Sequence, residues 1–329
     1  MAKRLRLLIG LSLLCLGCKD SAPKSYTKSR LAMDTLVSLT LVAESDTRAS
    51  AAFDTAFAEV ARLEALLNFY SETSEISRIN QNAGISPVRV SKDTLDLLDA
   101  ALRVSAMTDG AFDVTIGAVT RLWDFKKGVV ASESAVKTAM KVVGHQGLVL
   151  DRAASTAFLA KHGAAIDPGG ITKGFVADRV AAVLAARGVK AGLIAMSGDI
   201  RAFGARPGGT PWEVGIRHPD KGPGETIAAV DVREAGVSTS GGYERRIVTD
   251  AGSFHHIFSP ASGRSDDALK SVTVVAPTAT ESDALATAIV VMGLTKGLAL
   301  VERLSVDAFL VDREGRIHTR ERRHAFRRR

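Results

Sequence analysis

Two periods of apolar residues run through the chain, one near 3.6 residues and one of 2, and their order predicts its elements. Residues 36–43, Leu-Val-Ser-Leu-Thr-Leu-Val-Ala, read as a strand. Residues 50–67 read as a helix, because Phe53, Phe57, Val60 and Leu67 return close to helical spacing. A second amphipathic helix is predicted over 95–107 and a third over 172–187. Short strands follow at 192–197, 212–217, 227–232 and 270–276, then a helix over 280–292 and a last helix and strand around 296–311. Several strands in succession at hairpin-like spacing, without strict alternation with helices, predict an α+β fold. The expectation is a single compact domain with largely antiparallel sheets and packed helices.

The first residues break this pattern. Lys3, Arg4 and Arg6 precede an apolar run over 7–16 that is too short to span a bilayer as a helix, so 1–17 reads as a cleaved signal peptide. Leu16-Gly17-Cys18 resembles the lipobox of bacterial lipoproteins, with Cys15 where Leu is commonest, which makes Cys18 the expected lipidation site. Residues 18–30 are polar and contain a proline, the composition of a flexible tether. The body is expected over 31–312, on the extracytoplasmic, periplasmic side and anchored to a membrane through lipid.

Composition narrows the chemistry. With 46% hydrophobic and 24% charged residues, the chain is neither disordered nor collagen-like nor a polytopic membrane protein. Its two cysteines, Cys15 and Cys18, both precede the body, which therefore holds no disulfide, cysteine nucleophile or cysteine metal site. The net charge is +7, to which the leader contributes +3 and residues 313–329, with eight arginines, contribute +6, leaving 18–312 at −2. No basic stripe with interleaved aromatics remains, so nucleic acid is not an expected partner. The basic C-terminal tail reads as a solvated, frayed end, with contact to anionic lipid headgroups as the second reading.

Segments rich in Gly and Asp interrupt the framework. Asp109-Gly110-Ala111-Phe112-Asp113 is a turn flanked by acids. Asp167-Pro168-Gly169-Gly170-Ile171-Thr172-Lys173-Gly174 leads into a helix, where glycines allow close backbone approach to a phosphate, the helix start presents amides and Lys173 adds positive charge; it lacks the spacing of a Walker loop. Met196-Ser197-Gly198-Asp199 and Ser238-Thr239-Ser240-Gly241 read as loops. In His255-His256 the two rings point to opposite faces of a strand, so one alone can face a site. Asp283 and Thr287 share a helix face and could offer oxygens to one hard cation, although a mid-helix Thr commonly bonds back to its own turn.

Met33-Asp34-Thr35, the stretch from Phe69-Tyr70-Ser71 to Asn80, the 109–113 turn, the 167–174 loop, Ser197-Gly198-Asp199, 238–241, His256-Ile257 and 283–287 together, in this order over 31–312, resemble the motifs of ApbE-type FAD:protein FMN transferases. The resemblance implies a Mg²⁺-dependent enzyme that cleaves the FAD pyrophosphate, links FMN through a phosphoester to a Thr or Ser of an acceptor, and releases AMP. It implies flavin contacts at Met33, Tyr70, Ala111, Phe112, Asp113, Asp167, Lys173 and Ile257, and Mg²⁺ held by the Gly170 carbonyl, Asp283 and Thr287. The implied acceptors are membrane-associated redox subunits of the sodium-pumping NADH:quinone reductase (Nqr) or Rnf type, or other exported flavoproteins. Lys173 and Mg²⁺ would neutralise phosphoryl charge, and His256 is the candidate for taking the acceptor proton. The chain departs from the family at Asp34 and Ser197, where Gly is frequent, and at Ser259, where Asp is frequent. Two other readings stand beside the transferase: a Mg²⁺-dependent FAD pyrophosphatase giving FMN and AMP, and a non-catalytic flavin-binding lipoprotein.

Overall fold

A computed structural model describes residues 22–329 other than 223, 251, 266 and 267. The expected signal peptide and Cys18 lie outside the described residues. The chain opens with the hairpin β1 (Lys24–Ala32) and β2 (Thr35–Ala43), followed by α1 (Asp46–Leu67), α2 (Glu75–Gln81), β3 (Val88–Arg89) and α3 (Lys92–Met107). Short α4 (Gly117–Thr120), α5 (Glu133–Met140), β4 (Leu148–Asp151) and β5 (Thr156–Leu159) lead to α6 (Thr172–Ala186). Strands β6 (Gly192–Met196), β7 (Asp199–Phe203), β8 (Trp212–Arg217), β9 (Thr226–Val232), β10 (Ala235–Ser240), β11 (Arg246–Thr249), β12 (Gly252–His255) and β13 (Leu269–Ala276) precede α7 (Ala279–Leu304). The chain closes with β14 (Asp307–Asp312), β15 (Ile317–Arg320) and β16 (Phe326–Arg328).

Eight strands form one sheet in the order β1-β2-β6-β7-β10-β13-β14-β15, with every neighbouring pair antiparallel. The side-chain period of 2 divides its central strands between two cores. Val272, Val274, Ala308 and Leu310 face α1, α3, α6 and α7, whereas Val275, Phe309 and Val311 face the small sheet β16-β9-β8. This layered, antiparallel architecture is the expected α+β fold. Capping sets the helix starts: Ser45, Ser91 and Thr278 accept the amides of Arg48, Thr94 and Glu281, so α1 begins at Asp46, four residues before the start at 50 expected from its apolar stripe. Helix α7 breaks at Gly293, where φ is 72° and ψ −177°, which is why its pattern reads as two helices.

Two expectations are corrected. The tether does not extend to residue 30, because β1 pairs with β2 along its whole length, from Lys24 opposite Ala43 to Ala32 opposite Thr35. Its polar residues belong to an edge strand, where Thr27 meets Thr40 and Ser29 meets Ser38, each at 3.0 Å. The tail is not frayed. β15 pairs with β14 and β16 with β9, Phe326 packs edge-on against Phe309 at 5.5 Å, and Arg327 ion-pairs with Asp231 and with Glu213. Of the arginines that suggested a solvated end, Arg327 and Arg329 find carboxylates on β8 and β9, and Arg322 finds Glu302 on α7.

Candidate active site

The loop before α6 is fixed from three directions. Asn80 of α2 grips Ile166, donating to its carbonyl at 2.9 Å and accepting its amide at 2.7 Å, and the Asp167 amide donates to Val114 at 2.7 Å. The Asp167 carboxylate accepts from Thr120 Oγ1 at 2.8 Å and from the Gly169 amide at 2.9 Å. Burial pushes its carboxyl above the usual carboxylate range despite these bonds. The start of α6 differs from expectation. The Thr172 amide donates to Pro168 and the Gly174 amide to Asp283 Oδ2, each at 3.0 Å, so these two amides are engaged within the protein. Gly174 serves packing, since a Cβ there would stand 2.1 Å from the Ala279 carbonyl oxygen at the crossing of α6 and α7.

Lys173 points from α6 to Asp199, the first residue of β7, and the two form an ion pair. Asp283, on α7, stands close enough for both charges to act on it. Burial alone would pull the Lys173 ammonium down, but Asp199 and Asp283 reverse this and hold it at about 12. Burial and the Asp199 carboxylate push Asp283 up to about 8, against the pull of Lys173 and the Gly174 amide. Asp199 is 2% exposed and Asp283 3%, so two buried carboxylates share one ammonium.

One turn along α7, Thr287 stands against the loop: a Cβ on Gly170 would lie 3.1 Å from Thr287 Oγ1 and 3.3 Å from the Phe112 ring. Thr287 meets Ser240 Oγ of β10 at 3.2 Å, so its hydroxyl pairs across to the sheet. Asp178 of α6 sets the placement of α7 by accepting the amides of Ala279 at 3.0 Å and Thr280 at 2.8 Å. Among the described residues no group of three or more His, Cys, Asp or Glu side chains is arranged to hold a metal. A cation here would draw on carboxylate, hydroxyl and backbone oxygens.

Around this cluster the rim is made of turns. Met33 and Asp34 form the two-residue turn of the first hairpin with φ of 52° and 57°, the left-handed region that favours glycine. The Met33 amide is held by Glu64 at 2.9 Å and the Asp34 carboxylate by Lys126 at 2.9 Å. Tyr70 packs edge-on against Phe69 at 5.1 Å with 72% of the residue exposed. Partial desolvation and then the charge of Asp167 raise the phenol. His256 follows β12, and its Nδ1 is buried with no hydrogen-bond partner among the described residues. Burial, then the charges of Arg245 and His255, with Lys173 as a smaller contributor, bring the imidazole down to about 4. The Ile257 amide donates to His255 Nδ1 at 3.2 Å and its side chain is buried. Two clefts of about 480 and 570 Å³ flank the 109–113 turn; neither is lined by Lys173, Asp199 or Asp283, so they lie beside the charged cluster.

Residues 33–310 match the sequence model of the ApbE family. The chain belongs to the ApbE family. It is 31% identical over 317 residues to the FAD:protein FMN transferase of Salmonella typhimurium, covering 92% of this chain and 90% of that protein. It is also 31% identical over 312 residues to the FAD:protein FMN transferase of Treponema pallidum, covering 89% and 86%. The fold superposes on the crystal structure of the ApbE protein of Thermotoga maritima with a TM-score of 0.82 at 29% identity, covering 91% of this chain and 97% of that one. It superposes on the apo form of the Pseudomonas stutzeri flavinyl transferase ApbE with a TM-score of 0.79 at 28% identity, covering 91% and 96%.

Within this ApbE fold, Phe112, Gly170, Lys173, Asp283 and Thr287 converge, Tyr70 lies within electrostatic reach of Asp167, and His256 within reach of Lys173. Asp113 is engaged differently: its carboxylate accepts from the Thr115 amide at 2.8 Å and the His145 amide at 2.7 Å, which ties the 109–113 turn to residues 144–147. Sequence reasoning passed over Asp199 as a site residue, although it ends a quoted motif, and gave Asp178 no role. An acid set against an apolar strand, and an acid one helical turn after the Lys173-Gly174 pair, were the available signals.

Proposed function

We propose that the chain is an FAD:protein FMN transferase that depends on Mg²⁺, attaches FMN to a Thr or Ser hydroxyl of an acceptor protein and releases AMP. The observation that carries this reading is the buried pair of carboxyls, Asp199 and Asp283, set around the one ammonium of Lys173 beside Gly170 and Thr287, with Asp283 held up so that a bound cation would supply the charge that ionises it. The residues fit the metal that the family resemblance implies. Asp283, Thr287 and the Gly170 carbonyl form an all-oxygen donor set suited to a hard cation, with few enough ligands to leave positions for phosphate oxygens and water. Mg²⁺ bound there would add positive charge to the pyrophosphate oxygens and the AMP leaving group.

The protein's own groups divide the remaining work. Lys173, kept charged by its carboxylates, faces the phosphoryl group, and Asp199 orients it. His256 is neutral at physiological pH, and its unpartnered ring nitrogen can take the acceptor proton. Tyr70 offers an exposed aromatic face to the isoalloxazine, with Met33, Ala111, Phe112, Asp113, Asp167 and Ile257 completing the flavin site. We place the enzyme outside the cytoplasm, anchored through Cys18, with membrane-associated or exported redox subunits as acceptors.

The test incubates the purified chain with FAD and Mg²⁺, with and without a domain carrying an acceptor threonine, and follows AMP and acceptor mass. AMP with an acceptor gain equal to FMN is expected. AMP and free FMN without acceptor gain would make the protein a pyrophosphatase, and intact FAD throughout would make it a binding protein.

A further inference from the structure

Arg245 immediately precedes β11 and His256 immediately follows β12. The His256 amide donates to the Arg245 carbonyl at 3.3 Å, which extends by one pair the register that sets Arg246 opposite His255. Directly opposed residues of an antiparallel ribbon project from the same face, so Arg245 stands beside His256 and away from the buried His255. The Arg245 residue is exposed, and among the described residues its guanidinium forms no ion pair. Its positive charge nevertheless acts on Asp34, Tyr70, Asp167, Lys173 and His256. These five belong to the first hairpin turn, the turn after α1, the loop before α6, α6 itself and the bend after β12. One guanidinium acting on all five, and standing beside His256 on the ribbon, places Arg245 on the side of the fold that carries the candidate flavin site.

The charge balance at the two cations differs. Lys173 is ion-paired with Asp199 and also feels Asp283, whereas Arg245 feels the carboxyl groups of Asp34 and Asp167 only at a distance and, among the described residues, forms no ion pair with either. A bound dinucleotide brings a pyrophosphate with two negative charges, more than the compensated ammonium can balance. A guanidinium fork matches two phosphate oxygens at once, which an ammonium cannot do.

We propose that Arg245 is a phosphate-binding residue that closes over the pyrophosphate of bound FAD from the solvent side, opposite Lys173. The assignment rests on the FAD-dependent reading above and adds a second cationic contact to it. It also accounts for an arginine placed next to the candidate base: the guanidinium holds the phosphoryl group on the face of the ribbon from which His256 projects.

The experiment measures FAD and riboflavin binding by flavin fluorescence, with Mg²⁺ present, for the full chain and its Arg245→Ala and Arg245→Lys variants. Arg245→Ala is expected to weaken FAD binding roughly ten- to hundredfold and to leave riboflavin binding unchanged, because riboflavin has no phosphate. Arg245→Lys, which keeps the charge and loses the fork, falls between. Equal weakening of both ligands, or no weakening of FAD, overturns the proposal. A wild-type chain whose FAD binding depends on Arg245 but which never flavinylates an acceptor would reject the transferase reading and leave this one in place.

Discussion

The charged cluster and the rim are made from different parts of the fold. Lys173, Asp199, Asp283 and Thr287 sit on α6, β7 and α7, elements locked by the α6–α7 crossing at Gly174 and by Asp178 on the first amides of α7. Met33, Asp34, Tyr70 and His256 sit on turns and bends between elements, two of them in left-handed backbone and one largely exposed. The groups that handle charge are thus held by core packing. The groups that must admit a flavin, and then a second protein, are carried on surface connections, where small displacements cost little.

If that contrast is right, a substitution in the cluster moves chemistry and stability in opposite directions, while one on the rim moves function alone. Asp283→Asn should lower AMP release by about 10³-fold by removing a metal ligand and a preorganised charge. Its stability effect has the reverse sign. The Asp283 carboxyl is raised in the folded chain, so its contribution to stability is full at acidic pH and is lost as pH rises towards about 8. Metal-free wild type should therefore lose stability relative to the variant between about pH 4 and 8, and parallel thermal unfolding curves across that window would contradict the raised carboxyl.

On the rim, His256→Ala should slow acceptor flavinylation by about 10²-fold and leave the melting temperature in place. For wild type, the neutral ring is the active form and its value is depressed to about 4, so kcat/KM should decline only as pH falls towards about 4. An acid limb centred near the ordinary histidine value would argue that the ring works from water. Gly174→Ala tests the scaffold: a methyl pressed on the Ala279 carbonyl should destabilise the chain by about 1–3 kcal/mol in denaturant titrations and reduce AMP release with it. The smallest effect is expected at Tyr70→Ala, about a three- to tenfold weaker affinity for FAD with unchanged thermal unfolding.

What the sequence made legible follows from where information is local. The strand over 212–217 and the helix from 172 were readable because each buries a periodic stripe, and the discontinuity in α7 was readable because Gly293 interrupts one. The first strand was not, since an edge strand with polar side chains is specified by the backbone of its neighbour. The tail was not, because the carboxylates that hold Arg327, Asp231 and Glu213, are about a hundred residues away along the chain. In the site, Asp283 and Thr287 could be paired by helical spacing alone. The role of Asp199 needed the fold, because only the turn from β6 to β7 aims it at Lys173.

The discontinuity at Gly293 also bears on how such a chain can diverge. An insertion or deletion in an unbroken helix rotates everything beyond it by about 100° per residue relative to what lies before. Here the residues bearing Asp283 and Thr287 end at the interruption, and the stretch that follows to Leu304 leads out to β14. A change of length after Gly293 can be absorbed there without turning the two oxygens away from Gly170. Sequence drift in the outer segment is thereby decoupled from the inner one, and homologues should differ in length after this glycine far more readily than before it.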